Sequence, residues 1–151
     1  MAKKFKFSLE GLLKLRKFKE ESIKMEISLL QRELQKFKND KAICQQDLEL
    51  SYQSQEHSLK KGLNVYNLRF YPEFNDGKRA QIKQIESMIL NCENRITEKL
   101  KEYASARGNV KVVEKIKEKK TIAFKKMIIK QDEDKRQELY QISSFYQRLK
   151  K

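Results

Sequence analysis

From Ile82 to Met127 the chain carries a seam that recurs at alternating steps of three and four: Ile82, Ile85, Ile89, Cys92, Ile96, Lys99, Tyr103, Ala106, Val110, Val113, Lys117, Lys120, Phe124 and Met127. Eleven of these fourteen positions are apolar, and the faces between them hold mostly Lys, Glu, Asn, Gln and Arg. A repeat of about 3.5 residues sustained over this length is what two helices need to supercoil about each other. One helix cannot bury such a seam alone. A second one runs through Ile23, Ile27, Leu30, Leu34, Phe37, Lys41, Cys44 and Leu48, with Tyr52 continuing it loosely.

Few breakers interrupt these seams. The 151 residues include four Gly and one Pro, and a chain so poor in turn residues forms few, long elements. The first helix is expected over about 8–61. Ser8 is a plausible N-cap, with Glu10 in the first turn, although Gly11 weakens it, and the Leu9, Leu12, Leu13, Leu15 and Phe18 cluster lies behind. Lys60 and Lys61 suit a C-terminal end, and Gly62 can take the left-handed conformation that closes a helix. At ~1.5 Å per residue this would be a rod of roughly 80 Å.

The connection is expected over about 62–72 and the second helix over about 72–150. Pro72 suits a first helical position, and Asn75-Asp76-Gly77 offers a competing start. Two long helices joined by one short connection fold back antiparallel. The sequence thus predicts an all-α chain, a single domain over 1–151. It is a long antiparallel two-helix coiled-coil hairpin with an overhanging C-terminal helix, and monomeric alone.

In such a hairpin the numbers of facing residues have a constant total. A total near 137 pairs Ile27 with Val110, Leu30 with Ala106, Leu34 with Tyr103, Leu48 with Ile89 and Cys44 with Cys92. A slip by one heptad matches apolar positions as well. Residues 1–24 hold eight basic and three acidic side chains, and residues 107–130 nine and two, so these stretches carry +12 of the net charge of +14. The same register sets 8–24 beside roughly 113–129 and merges both stretches into one basic end. The other end is an aromatic tip, in which Leu63, Val65 and Leu68 close the hairpin and Tyr71 and Phe74 are left exposed. The partner helix runs out near residue 130. Past it, Leu139, Ile142, Tyr146 and Leu149 form a fresh stripe that is either a frayed tail or a helix formed against a partner.

Catalysis fails on inventory. His57 is the only histidine, the Gly77-Lys78 pair lacks the preceding glycine of a phosphate loop, and the two cysteines have no ligand spacing. No metal site, cofactor or enzymatic activity is expected. No apolar run exceeds three residues and no export signal follows the basic start, so a cytosolic protein without disulfides is expected. The basic end reads either as solvated surface or as a dock for an acidic protein or a phosphate backbone. Its aromatics, Phe18 and Phe124, sit in the seam, which argues against base stacking. A nucleic-acid-binding hairpin and a self-assembling scaffold remain the alternatives.

The opening Phe5-Lys6-Phe7-Ser8-Leu9-Glu10-Gly11-Leu12-Leu13-Lys14-Leu15-Arg16 resembles the start of the FliJ family of the flagellar type III export apparatus. The stretch from Val110 to Lys120, an apolar pair followed by a lysine-rich run, is similar to that family's C-terminal helix. The resemblance implies an antiparallel coiled coil similar to the central stalk of rotary ATPases. Its partners would be the hexameric flagellar export ATPase, the membrane export gate and export chaperones, with no nucleic acid. The location would be the cytoplasmic side of the inner membrane at the flagellar base. ATPase contact would fall on Lys14, Arg16, Lys17, Lys115, Lys117, Lys119, Lys120, Leu139, Ile142, Tyr146 and Leu149. Gate contact would fall on Tyr71 and Phe74, which match the family's aromatic pair just after the turn. The following positions, Lys78, Gln81 and Ile85, depart from its pattern.

Overall fold

The computed structural model describes residues 5–62 and 65–149; the side chains of Val65, Asn67 and Leu149, like all of Leu63, lie outside that description. The order is α1 (Glu10–Lys60), α2 (Val65–Leu68) and α3 (Phe70–Leu149), with no strand among the described residues. The two long helices pack against each other as a hairpin, so the chain is all-α as its seams require.

The helix ends follow from local chemistry. At the start, the Glu10 N–H donates to the Phe7 carbonyl and the Leu13 N–H to that of Leu9. The expected cap, Ser8, lies two residues ahead of α1. Gly62, with φ of 70°, turns the chain out of α1. Its N–H donates to the Leu59 carbonyl, and the Lys61 N–H to that of His57. Pro72 falls in the first turn of α3, where a missing N–H leaves no carbonyl unpaired. Asn75-Asp76-Gly77 lies inside α3 and starts no helix.

The chain gathers into two compact units, residues 5–20 with 105–149 and residues 21–104. In the first, Phe7, Leu13, Val110 and Val113 form a buried cluster, with Phe5, Leu9 and Ile116 packed on it. Burying side chains of this size stabilises by about 1.5–3 kcal/mol each. Facing residues total 127 for Glu10 and Lys117, 131 for Lys17 and Glu114, and 125 for Arg16 and Asn109.

In the second unit Ile23, Ile27, Leu30, Cys44, Ile85 and Cys92 are buried. The totals are 125 for Glu26 with Lys99 and for Asp47 with Lys78, 127 for Lys41 with Glu86, and 131 for Lys38 with Glu93. The Cys92 thiol donates to the Leu30 carbonyl over 3.3 Å, a total of 122.

The register therefore centres on 126 to 127 and not on 137. The expected pairs Ile27–Val110, Leu30–Ala106, Leu34–Tyr103 and Leu48–Ile89 are not the facing ones. Val110 belongs with Leu13, and Leu30 meets Cys92. Cys44 and Cys92 are both free and buried. Their levels along the axis differ by roughly 14 Å. The correction has a physical reason. A shift of about 11 residues is close to three helical turns, so it returns nearly the same apolar face. Apolar pattern alone cannot separate the two registers.

Lysine decides between them. Lys41, Lys99 and Lys117 occupy seam positions, where their aliphatic stems pack and their ammonium groups reach outward. Each finds a carboxylate on the opposite helix: Glu86 at 2.7 Å, Glu26 at 2.9 Å and Glu10 at 2.7 Å.

Two further departures concern the seam ends. Leu15 and Phe18 are 66% and 75% exposed, while Arg16 and Glu20 take the half-buried positions that continue from Leu13 to Ile23. Phe18 is thus not a seam residue. Tyr52 is exposed, and Ser51 is buried in its place. Ser51 Oγ and Asn75 Oδ1, at a total of 126, are buried without a hydrogen-bond partner among the described residues.

Candidate docking surfaces

In the unit formed by residues 5–20 and 105–149, the N-terminal turns of α1 lie along α3 and bring basic side chains together. Arg16 Nη1 donates to the Asn109 carbonyl at 2.8 Å, and Lys17 pairs with Glu114 at 2.7 Å. Lys117 pairs with Glu10, and the ammonium groups of Lys117 and Lys120 stand 5.8 and 6.0 Å from the Phe7 ring. The hydrogen bond from Lys117 holds the Glu10 carboxyl below its ordinary pKa. Glu114 raises the Lys17 ammonium above the ordinary lysine value. Three expected dock residues thus have their charge engaged within the hairpin. Lys14, Lys115 and Lys119 are exposed and make no ion pair among the described residues.

The rest of that expected set lies further along α3. Leu139, Ile142 and Tyr146 are all exposed, as are Tyr140 and Phe145. The Phe145 and Tyr146 rings meet edge to face at 6.5 Å. Heptad spacing had singled out one stripe here. The helix is in fact bare on several sides, so Tyr140 and Phe145 belong with it, and the side chain of Leu149 lies outside the described residues.

At the closed end of the unit formed by residues 21–104, the aromatics divide differently from expectation. Tyr71 is half-buried, and its hydroxyl shares a hydrogen bond with Ser58 Oγ at 3.3 Å. Phe74 is half-buried too, stacked on Phe70 at 5.6 Å with the Lys78 ammonium 5.5 Å from its ring. Phe70 and Tyr66 are exposed instead, as is Tyr52. Leu68 is half-buried. Leu50 and Ser51 of α1 and Phe70, Tyr71 and Phe74 of α3 line a shallow groove, with Asp47 at its edge. Asp47 accepts from Lys78 at 2.7 Å and raises that ammonium's pKa. Phe70 was missed because it precedes Pro72, the expected helix start. Once α3 is seen to begin at Phe70, the four-residue spacing to Phe74 puts both rings on one face.

No cluster of three or more His, Cys, Asp or Glu side chains could hold a metal among the described residues. No helix there is long and apolar enough to cross a membrane. What the surfaces offer is cationic and aromatic contact, the chemistry of protein docking.

No curated protein matches the chain. No solved structure matches it. The family model described as Flagellar FliJ protein matches residues 5–149, nearly the full length. With this match added to the helical hairpin and its lysine-rich α3, the chain belongs to the FliJ family, whose place is in flagellar protein export.

Proposed function

We propose that this chain docks on the hexameric flagellar export ATPase, contacts the membrane export gate and export chaperones, and couples them without catalysing a reaction itself. Its place would be the cytoplasmic face of the inner membrane at the flagellar base. The observation that carries the reading is the pairing of unneutralised lysines with a bare apolar helix in one unit: Lys14, Lys115 and Lys119 beside an α3 that continues to exposed Leu139, Ile142 and Tyr146. Charge of this kind steers association, and desolvated aromatic and aliphatic anchors hold it. Arg16, Lys17, Lys117 and Lys120 complete the basic side, and Leu149 the apolar one. Gate contact is assigned to Tyr71 and Phe74, with Phe70 stacked on Phe74 and edge to face with Tyr71.

Binding of the full chain to the purified ATPase hexamer tests the dock. K14E/K115E/K119E should weaken it at least tenfold, and L139S/I142S/Y146S should do the same mainly by faster dissociation. Unchanged affinity in both variants would sink the reading, as would tight sequence-independent nucleic-acid binding without ATPase binding. For the gate, Y71A/F74A should leave helicity intact and weaken capture of the gate's cytoplasmic part.

A further inference from the structure

Between residues 119 and 130 α3 reads Lys-Lys-Thr-Ile-Ala-Phe-Lys-Lys-Met-Ile-Ile-Lys, five lysines and no acidic residue. Elsewhere in the hairpin the seam lysines Lys41, Lys99 and Lys117 and the flanking Lys17, Lys38 and Lys78 find carboxylates on the opposite helix. Here Lys119, Lys120, Lys125, Lys126 and Lys130 are all exposed, and none makes an ion pair among the described residues.

The apolar residues of this segment divide between two faces. Phe124 and Ile128 are half-buried, and the Phe124 ring packs on Phe5 at 5.4 Å. Ile122 and Ile129 are 47% and 58% exposed. Seven residues apart, they share a second face. Lys125 and Lys126 stand between them, Lys119 lies one turn before Ile122, and Lys130 follows Ile129.

We infer that this face is a contact for an anionic lipid surface. A helix lying in a bilayer interface needs a narrow apolar line sunk among headgroups and flexible cations around it, and no shape complementarity. Ile122 and Ile129 supply the line. The lysines supply cations on long stems that extend sideways to phosphate oxygens while their methylenes stay with the acyl layer. A phosphate backbone of nucleic acid would satisfy the lysines but leave both isoleucines against polar surface. The aromatic ring of the segment is already engaged by Phe5, so it is not free to stack on bases. This contact adjoins the proposed ATPase dock: it shares Lys119 with it, and Ile122 and Lys125 line one groove with Lys17 and Lys117. Lys125, Lys126, Lys130, Ile122 and Ile129 lie outside that set.

Flotation of the full chain with vesicles tests it. The chain should bind phosphatidylcholine vesicles containing about a third phosphatidylglycerol, release from them as salt is raised, and leave pure phosphatidylcholine vesicles unbound. Each lysine near an anionic surface contributes about fivefold in partitioning, so K125Q/K126Q/K130Q should bind roughly a hundredfold more weakly. I122S/I129S, at exposed positions that leave the hairpin core intact, should lose at least tenfold, with helicity checked by circular dichroism. Equal binding to both vesicle types, an unchanged triple variant, or an unchanged double variant would each overturn the inference. ATPase binding measured in parallel on K126Q/K130Q, which leaves that groove untouched, should not move.

Discussion

Lysines placed in an apolar seam set the chemistry at the residue scale. Lys99 pairs with Glu26 and also with Glu102, both at 2.9 Å, and these partners raise its pKa. The Lys17, Lys78 and Lys99 contributions to stability are fully present below the ordinary lysine pKa and are lost as pH rises through the elevated folded values. Glu10 is the reverse case. Its folded pKa is depressed by Lys117, so its contribution is present above the ordinary glutamate pKa and is lost as pH falls through the folded one. E10Q should therefore lower the melting temperature slightly at neutral pH, and the difference from the unsubstituted chain should vanish in acid, as melts over a pH series would show. A larger effect belongs to the small cluster around Val113, which is the most deeply buried large side chain. L13A should destabilise by about 2–4 kcal/mol through lost burial and an incompletely collapsed cavity, measured by urea denaturation.

At the scale of the elements, the register governs which residues meet. A facing total of 126 sets Cys44 opposite Ile82 and Cys92 opposite Leu34. Mild oxidation should leave the unsubstituted chain with both thiols free, whereas I82C should form an intramolecular crosslink with Cys44. Thiol counting and non-reducing electrophoresis would read both outcomes, and a Cys44–Cys92 bond would restore the total of 137. The existence of both helices was legible because Ile82 to Val113 keeps one phase throughout. Their pairing was not, because an apolar side chain accepts any apolar neighbour. The readable signal lay in the seam positions that were not apolar. Lys41, Lys99 and Lys117 each need an acidic partner, and Glu86, Glu26 and Glu10 supply them at totals of 127, 125 and 127. Past Lys117 the phase also moves by one, so that Thr121 and Ile128 are half-buried where Lys120 and Met127 were expected. The docking residues were less legible still, since exposure of Phe70 and coverage of Tyr71 depend on where α3 begins.

For the molecule as a whole, unequal helix lengths matter most. The N-terminal segment meets α3 as far as Phe124, the partner of Phe5, and Leu139, Tyr140, Ile142, Phe145 and Tyr146 are exposed. A helix with no packed face loses the tertiary contacts that supply most helical stability in water. Amides of residues 132–148 should exchange orders of magnitude faster than those of 85–113, and thermal melting should begin with a shallow, non-cooperative loss of helicity. Binding of the ATPase hexamer should slow exchange in the first group and leave the second unchanged. Uniform protection along α3 in the free chain would contradict this.

The unpartnered oxygens of Ser51 and Asn75 bear on folding fidelity. Held at one level, they share a single polar layer near the closed end. A slide of either helix would separate them, and one that raises the facing total by seven to ten sets Ser51 against Ile82 or Ile85. The layer costs stability in the native alignment and costs more where a slide sets Ser51 against an isoleucine, so it acts as a check against those misalignments. S51A/N75L should melt higher yet yield a mixture of crosslinked products when paired cysteines sample the alternative alignments.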